Sequence, residues 1–133
     1  MSLAEVAEKI ANKEISSLEA TDAALDRIER FGPKLHAVVH CDHEGARKSA
    51  SKADEDIAFG KVRGPLHGVP LAHKDMYYRE GKVTTCGSKI RADFVADRTS
   101  TALARLDEAG AIYLGGLNMS EFAVGPIGNN VHY

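Results

Sequence analysis

Apolar residues that recur at helical spacing near the start of the chain indicate a first helix. An i, i+3, i+4, i+7 pattern places such residues on one face of a helix, and that face must pack against another element. The positions that follow the pattern are Leu3, Val6, Ala7 and Ile10. We therefore predict an amphipathic helix that belongs to a surface layer.

A second helix is predicted from a start signal, an apolar stripe and a stop signal. Ser16 and Glu19 have the spacing of a capping box, in which each side chain satisfies a backbone N–H of the other residue. The stripe that follows consists of Leu18, Leu25 and Ile28. Gly32 and Pro33 come next, and this pair predicts the end of the helix.

The following segment indicates a strand and then a third helix. We predict a strand over residues 35–41 and a polar, alanine-rich helix over about residues 44–58, which Gly60 stops. We expect the three helices to form a surface layer, with their apolar stripes facing the core.

The second half of the chain alternates strand and helix. Residues 69–73 indicate a strand with Pro70 close to its start. Serine and threonine capping candidates and the position of Gly110 predict a helix over about residues 100–109, and residues 111–114 then indicate a buried strand. Strand, helix and strand make a βαβ unit, which favours a parallel pair joined by a right-handed crossover.

Lys74 follows the predicted strand directly, at its carboxyl end. In open α/β sheets, ligands bind in the crevice at the carboxyl ends of the strands. Because the two predicted strands are parallel, Lys74 and the segment after Leu114 meet at the same edge of the sheet. Residues 115–125 are therefore the best candidates for neighbours of Lys74.

A lysine at the end of an apolar run is in an unfavourable place for a charge. Desolvation disfavours the ammonium and lowers a lysine pKa by as much as ~3–5 units when burial is complete, so that the neutral amine can act as a base. The alternative is an ordinary lysine at a strand end that is solvated or paired with Asp75 or another acid. The local pattern alone favours this second interpretation.

The composition is that of a soluble globular piece of one domain. The 133 residues carry 17 basic and 19 acidic side chains, a formal charge of −2 and 44% hydrophobic residues. This balance lacks the electrostatic footprint of a protein that binds nucleic acid or an anionic membrane. Its apolar runs are too short to span a bilayer, and its start lacks the features of a signal peptide. We therefore predict a cytoplasmic protein that binds neither nucleic acid nor a membrane.

Two segments carry residue types that bind metals or phosphate, but neither has the right spacing. His40, Cys41, Asp42 and His43 suggest a zinc site by their types alone. Alternation along a strand sends His40 and Asp42 to one face and Cys41 and His43 to the other, so we predict no metal site there. The loop over residues 81–88 offers glycines and hydroxyls without the spacing of a phosphate-binding loop.

Four ordered motifs resemble the opening third of amidase signature enzymes, and the resemblance covers essentially the whole chain. The motifs are GPLHGVPLAHKD (residues 64–75), TTCGS (residues 84–88), AGA (residues 109–111) and NMSEFA (residues 118–123), preceded by EISS (residues 14–17). The resemblance implies an α/β fold in which this chain is the N-terminal part of the amidase signature fold, with helices flanking a mixed sheet.

The resemblance also implies a domain organisation. Residues 1–133 correspond to the N-terminal portion of a single amidase domain. Within it, residues 1–60 are expected to form a mostly helical layer with one strand, and residues 61–133 a βαβ segment that carries the catalytic lysine.

Lys74 matches the lysine of the Ser–cis-Ser–Lys triad of that family. The resemblance implies that this lysine is neutral in the resting enzyme and acts as the general base through a bridging serine, which relays the proton from the nucleophilic serine. The implied reaction cleaves a carbon–nitrogen amide bond through a serine acyl-enzyme. Backbone amides hold the oxyanion, and neither a metal ion nor a cofactor takes part.

Substrate contacts follow from the same resemblance. Val124 and Gly125 lie in a segment, residues 124–130, that lines the acyl pocket in relatives, and plain core packing is an equal alternative for Val124. Asp75 follows the lysine in the family pattern, where a structural role is favoured over a catalytic one. The implied partners are a small-molecule amide substrate and the remainder of the amidase chain, and a homodimer stays open. Aryl amides, short aliphatic amides, glutamine and carbamates all stay open as substrates.

The sequence departs from the family pattern in two places. Both triad serines lie in a Gly/Ser-rich segment that follows the position of Tyr133 in relatives, and no serine here stands in such a run. We therefore expect an N-terminal fragment, or one half of a cleaved or split amidase, that is inactive alone. The alternative is a truncated, non-catalytic module that binds a partner through the surface that the missing part covers. The second departure is Gly116, which stands where many relatives carry lysine.

Overall fold

Four α-helices and three β-strands form the part of the chain that the computed structural model describes, residues 1–125 and 128–133. In chain order the elements are α1 (Leu3–Ala11), α2 (Ser17–Leu35), β1 (Val38–Cys41), α3 (His43–Ala58), β2 (Pro70–Lys74), α4 (Thr101–Glu108) and β3 (Ile112–Leu117). Short 3₁₀ turns occupy Lys89–Arg91 and Glu121–Ala123. Every helix and strand predicted from the sequence is present in this order.

Side-chain caps begin the first two helices. Ser16 N donates to Glu19 Oε2 at 2.8 Å, and Glu19 N donates to Ser16 Oγ at 3.0 Å, which confirms the capping box predicted for α2. Ser2 and Glu5 form a second capping box at the start of α1. That box has the same three-residue spacing and was equally readable in the sequence.

The end of α2 differs from the prediction that Gly32 and Pro33 stop it. The helix continues to Leu35, with Pro33 inside its last turn, and ends where His36 adopts a left-handed conformation with φ of 47°. Proline removes its own N–H bond, yet its fixed φ suits a helix, so the chain can continue for a few residues. The longer helix delays β1, which starts at Val38 rather than at Leu35.

A mixed sheet joins the three strands in the order β1-β3-β2. Strand β1 is antiparallel to β3, whereas β2 is parallel to it, as the βαβ pattern predicts. Lys74 is the last residue of β2 and pairs with Leu117, the last residue of β3. The carboxyl ends of both parallel strands therefore lie side by side.

The main core lies between this sheet and helices α2 and α3. Leu25 of α2 packs with Ile112 and Leu114 of β3, and small residues of α3 complete the cluster. The buried positions of α3 are Ala46, Ala50 and Ala53. Because alanine is small, this otherwise polar helix approaches the sheet closely.

A buried hydrogen bond attaches the helical layer to the approach to β2. Ser17 Oγ, at the start of α2, donates to the carbonyl of Gly68 at 2.6 Å. Gly68 has a φ of +80°, and an added Cβ would lie 2.9 Å from the Ser17 side chain, so glycine is required for both reasons. Asp54 of α3 caps α2 by accepting from Ser17 N at 2.6 Å and from Leu18 N at 3.0 Å.

Among the described residues, no helix combines the length and the apolar character that a membrane crossing requires.

Candidate active site

Lys74 reaches across the ends of the two parallel strands. Its Nζ donates a hydrogen bond of 2.6 Å to the carbonyl oxygen of Asn118, the residue that follows β3. The parallel pairing of β2 and β3 predicts this neighbourhood, since it brings the segment after β3 to the end of β2. The amine is thereby directed to one defined place at the edge of the sheet.

Asn118 is itself held by hydrogen bonds that it donates to two other parts of the chain. Its side-chain Nδ2 donates to the carbonyl of His36 at 2.8 Å and to that of Tyr133 at 3.1 Å. Its backbone N–H donates to the carbonyl of Ala37 at 2.9 Å. The acceptor of the Lys74 amine is therefore tied to the segment that connects α2 with β1.

The side chain of Lys74 is exposed, although the apolar run before it is half-buried. The interpretation that the strand desolvates this lysine is therefore wrong for the described residues, because Lys74 sits where the strand leaves the sheet. The alternative of a solvated lysine at a strand end agrees with this exposure, whereas its pairing with Asp75 is wrong. Within the described part of the chain, no carboxylate lies within ion-pair distance of the Lys74 amine.

Asp75 points away from the lysine and is 2% exposed. Its Oδ2 accepts a hydrogen bond of 3.0 Å from Thr85 N and a second, short one from Thr85 Oγ1. Its backbone N–H donates to Leu117 O at 3.0 Å, and its carbonyl accepts from Cys86 N at 2.8 Å. These contacts support the structural role that the sequence favours for Asp75.

The hydroxyls of Thr85 and Ser88 are engaged by the protein itself. Thr85 Oγ1 accepts from Gly87 N at 3.0 Å while it donates to Asp75. Ser88 is fully buried, and its Oγ donates to Glu121 Oε1 at 2.6 Å. The Thr85 and Ser88 hydroxyls therefore help to fix the conformation of this loop.

Cys86 lies in this loop in a left-handed conformation with φ of 53°. Burial raises the pKa of its thiol, so the thiol is protonated at neutral pH. A protonated, half-buried thiol is a poor nucleophile. Cys86 therefore contributes backbone geometry to this region rather than reactivity.

A second left-handed segment faces the Cys86 loop. Phe122 and Ala123 have φ values of 51° and 61°, a conformation that costs free energy for residues with a Cβ. Phe122 N donates to the carbonyl of Cys86 at 2.8 Å, so the two strained turns are joined. Strained backbone of this kind tends to occur at functional sites.

Val124 and Gly125 follow this turn directly. Val124 is 80% exposed, so it does not pack in the core that the described residues form. Gly125 has a φ of 134°, in the region that favours glycine. The next two residues of the predicted pocket loop, Pro126 and Ile127, lie outside the described residues.

Glu121 connects three stretches of chain around these turns. Besides accepting from Ser88, its Oε1 lies 3.4 Å from His132 Nε2. Asn130 joins the same segments a second time, because its Nδ2 donates to Gly87 O at 2.8 Å and to Met119 O at 2.7 Å. Sequence reasoning missed these contacts, whose only signal was that TTCGS and NMSEFA both occur in the family pattern.

Residues 40–43 bind different partners instead of a common metal ion. Their contacts are His40 Nε2 to Tyr113 Oη at 2.6 Å, Cys41 Sγ to Leu114 O at 3.2 Å, Asp42 to Lys82 Nζ at 2.9 Å and His43 Nδ1 to Glu29 Oε1 at 3.2 Å. Over residues 1–125 and 128–133, no three histidine, cysteine, aspartate or glutamate side chains are grouped in a way that suits a metal ion.

The structure gives a reason for the unusual Gly116. A Cβ added there would lie 2.5 Å from Cε1 of the His40 ring, which lies across β3 at this position. Burial raises the pKa of Tyr113 to about 12, so its hydroxyl keeps the proton that it can donate to His40. His40 thus occupies the space that a side chain at position 116 needs.

Comparison with known proteins points to one family. A family model described as Amidase matches residues 19–133. The chain is 45% identical over 132 residues to the A subunit of the glutamyl-tRNA(Gln) amidotransferase from Azoarcus sp. strain BH72, a match that covers 99% of this chain and 27% of that relative.

Solved structures give the same result for the fold. An amidase structure superimposes with a TM-score of 0.91 at 35% identity, covering 99% of this chain and 30% of that one. The native peptide amidase from Stenotrophomonas maltophilia superimposes with a TM-score of 0.84 at 34% identity, covering 92% of this chain and 25% of that one.

Proposed function

The chain belongs to the amidase family, and on that premise we propose that it carries the general-base lysine of an enzyme that cleaves carbon–nitrogen amide bonds. The base is Lys74. The chain spans 27% of the length of the amidotransferase subunit that it matches, so the activity of a whole enzyme is part of the proposal.

The observation that carries the proposal is the position of the Lys74 amine. It stands at the carboxyl ends of two parallel strands, exposed, and held by the carbonyl of Asn118 at 2.6 Å. This hydrogen bond fixes the direction of the amine, and among the described residues it is the one side-chain hydrogen bond that Lys74 makes. This arrangement suits a group that exchanges a proton with a neighbour.

The proposed chemistry uses two serines that lie outside this sequence. The neutral Lys74 amine takes a proton from a bridging serine, which takes one from the nucleophilic serine as that oxygen attacks the amide carbon. Lys74 then returns a proton through the bridging serine to the leaving nitrogen, the C–N bond breaks to leave an acyl-enzyme, and water hydrolyses that ester to release the acid and the free serine. Because Lys74 is exposed here, we propose that the segment bearing the serines also desolvates the amine.

Val124 and Gly125 are proposed to contact the acyl part of the substrate. Their exposure and their position after a strained turn support this role. The names of the structural neighbours suggest a peptide amide and an aryl amide, and the family resemblance adds glutamine, which we propose as the first substrate to test.

We further propose the larger arrangement that the resemblance implies. Residues 1–60 and 61–133 belong to one amidase domain, since β1 from the first part pairs with β3 from the second. A cytoplasmic location and a homodimer are proposed for the whole enzyme, with cell fractionation and light scattering as their tests.

The decisive experiment measures amide hydrolysis by the complete enzyme with Lys74→Ala and with the exposed-surface control Lys61→Ala. We expect Lys74→Ala to lower kcat by roughly 100–10,000-fold, the usual contribution of a general base, and Lys61→Ala to leave kcat unchanged. The 133-residue chain alone should hydrolyse none of the three candidate amides. Hydrolysis by that chain, or full activity of Lys74→Ala, would show that the proposal is wrong.

A further inference from the structure

Asp75 carries a buried carboxyl group for which the proposed chemistry has no direct use. Asp75 is 2% exposed, and within the described part of the chain its carboxylate receives two hydrogen bonds, both from Thr85. Burying a carboxylate is costly even when it is hydrogen-bonded, and an apolar side chain would fill the same space more cheaply. The free-energy cost of burying this carboxylate indicates that Asp75 has a role besides filling space.

The backbone of Asp75 extends the pairing of β2 with β3 by one residue. Its N–H donates to Leu117 O at 3.0 Å, directly after the Lys74–Leu117 pair. On its other side, its carbonyl accepts from Cys86 N at 2.8 Å. Asp75 is thus fixed in three directions, toward β3, toward Cys86 and, through its carboxylate, toward Thr85.

This anchorage sets the distance between the Lys74 amine and its acceptor. Leu117 bonds to Asp75, and the next residue, Asn118, supplies the carbonyl that receives the amine. If residue 75 shifts along β3, the Cα of Lys74 shifts with it, while Asn118 stays attached to His36. A displacement of about 1 Å at such a site can lower a rate by about 100-fold.

We infer that Asp75 is a positioning residue that, through Thr85, holds Lys74 in register with Asn118. This inference rests on the proposed function of Lys74 as a base. It assigns Asp75 no contact with the substrate. It also distinguishes Asp75 from an ion-pair partner, because the carboxylate is directed to Thr85.

The test is a series of variants at Thr85 and Asp75 in the complete enzyme. Thr85→Val removes the hydroxyl and keeps the branched shape, whereas Thr85→Ser keeps the hydroxyl and is the matched control. We expect Thr85→Val and Asp75→Asn to lower kcat by roughly 10–100-fold with KM unchanged, and Thr85→Ser to keep kcat within about twofold of the parent enzyme. In a Lys74→Ala background, Asp75→Asn should have no further effect on kcat.

A purely structural role would give a different result. Thr85→Val would then lower the thermal midpoint while the folded enzyme kept its kcat, and that outcome would overturn the inference. An additive effect of Asp75→Asn in the Lys74→Ala background would overturn it as well.

Hydrogen exchange on the complete enzyme separates this inference from the proposed function. Thr85→Val should raise the exchange of residues 74–76 and 117–119 relative to Thr85→Ser, whether or not Lys74 is a base. Unchanged exchange would overturn the anchoring role. Raised exchange together with full activity of Lys74→Ala would leave the anchor standing and reject the base.

Discussion

The amine of Lys74 and the carbonyl oxygen of Asn118 lie 2.6 Å apart and link the ends of two parallel strands. Because the acceptor is a backbone atom, its position depends on the contacts that hold the whole of residue 118 in place. Three hydrogen bonds from Asn118, to His36, Ala37 and Tyr133, supply that support.

We first predict that Asn118→Ala destabilises the protein. The substitution removes both bonds from Nδ2 and leaves the carbonyls of His36 and Tyr133 without these donors. The free energy of unfolding should fall by roughly 1–3 kcal/mol, as measured by urea denaturation. Asn129→Ala, at an exposed position nearby, should change it by no more than about 0.5 kcal/mol. Equal effects of the two substitutions would argue against the support assigned to Asn118.

A second prediction concerns the His40 ring and Gly116. Gly116→Ala places a Cβ 2.5 Å from that ring and should lower the free energy of unfolding by roughly 1–3 kcal/mol. In a His40→Ala background the ring is gone, so the same substitution should cost less. A double-mutant cycle measures the difference, expected to be about 0.5–3 kcal/mol, and purely additive effects would contradict the contact.

Two glycines with similar backbone conformations give a third prediction. Gly68 and Gly60 have φ values of +80° and +72°, so alanine is strained at both. At Gly68 the new Cβ also meets Ser17 at 2.9 Å, whereas at Gly60 nothing lies within 4 Å. Gly68→Ala should therefore lower the thermal midpoint more than Gly60→Ala does. A larger loss at Gly60 would rule out the contact with Ser17 as the reason for the glycine.

The fourth prediction compares two alanine-to-glycine substitutions that should change the free energy of unfolding in opposite directions. Ala123 is left-handed with φ of 61°, so Ala123→Gly should relieve strain and raise the free energy of unfolding by up to about 1 kcal/mol. Ala102, exposed in α4, is helical, and Ala102→Gly should lower the same quantity by roughly 0.5–1 kcal/mol. Destabilisation by both changes would mean that the turn after Glu121 is not strained.

The fifth prediction concerns acid stability. Lys82 and the backbone N–H of Gly45 bind the Asp42 carboxylate and lower its pKa below the ordinary value. A depressed pKa stabilises the folded state above the unfolded pKa of about 3.9, and this contribution disappears as pH falls through the lower, folded value. Lys82→Met should therefore reduce the loss of stability between about pH 4 and the folded pKa of Asp42. Denaturation midpoints measured over that range test this, with Lys61→Met as the control, and an unchanged pH dependence would contradict the pairing.

Local rules account for what the sequence could predict. The capping spacing of Ser16 and Glu19 starts α2, and the βαβ pattern correctly places Lys74 beside the segment after β3. Each of these features depends on residues close in sequence or on the direction of a strand. The end of α2 was missed because Pro33 is tolerated in a last turn, where it costs one hydrogen bond.

Contacts between distant segments could not be predicted in the same way. The Asn118 carbonyl is a backbone atom, which every residue has, so no letter of the sequence indicates it as the acceptor of Lys74. Ser88 and Glu121 are 33 residues apart, and their contact requires the loop and the turn to be built first. Gly116 was visibly unusual, yet its explanation required the register that brings His40 opposite to it.

The bond between Ser17 and Gly68 has a consequence for the order of events during synthesis. The Ser17 hydroxyl and the Gly68 carbonyl, which join the helical layer to the approach to β2, are both present once residue 68 has been synthesised. The acceptor of the Lys74 amine follows at residue 118. A chain that folds from its amino end can thus place the lysine against its acceptor before the segment with the proposed serines leaves the ribosome. Lys74 would then already be positioned when the two serines emerge, and the nucleophile would be the last part of the proposed triad to fold into place.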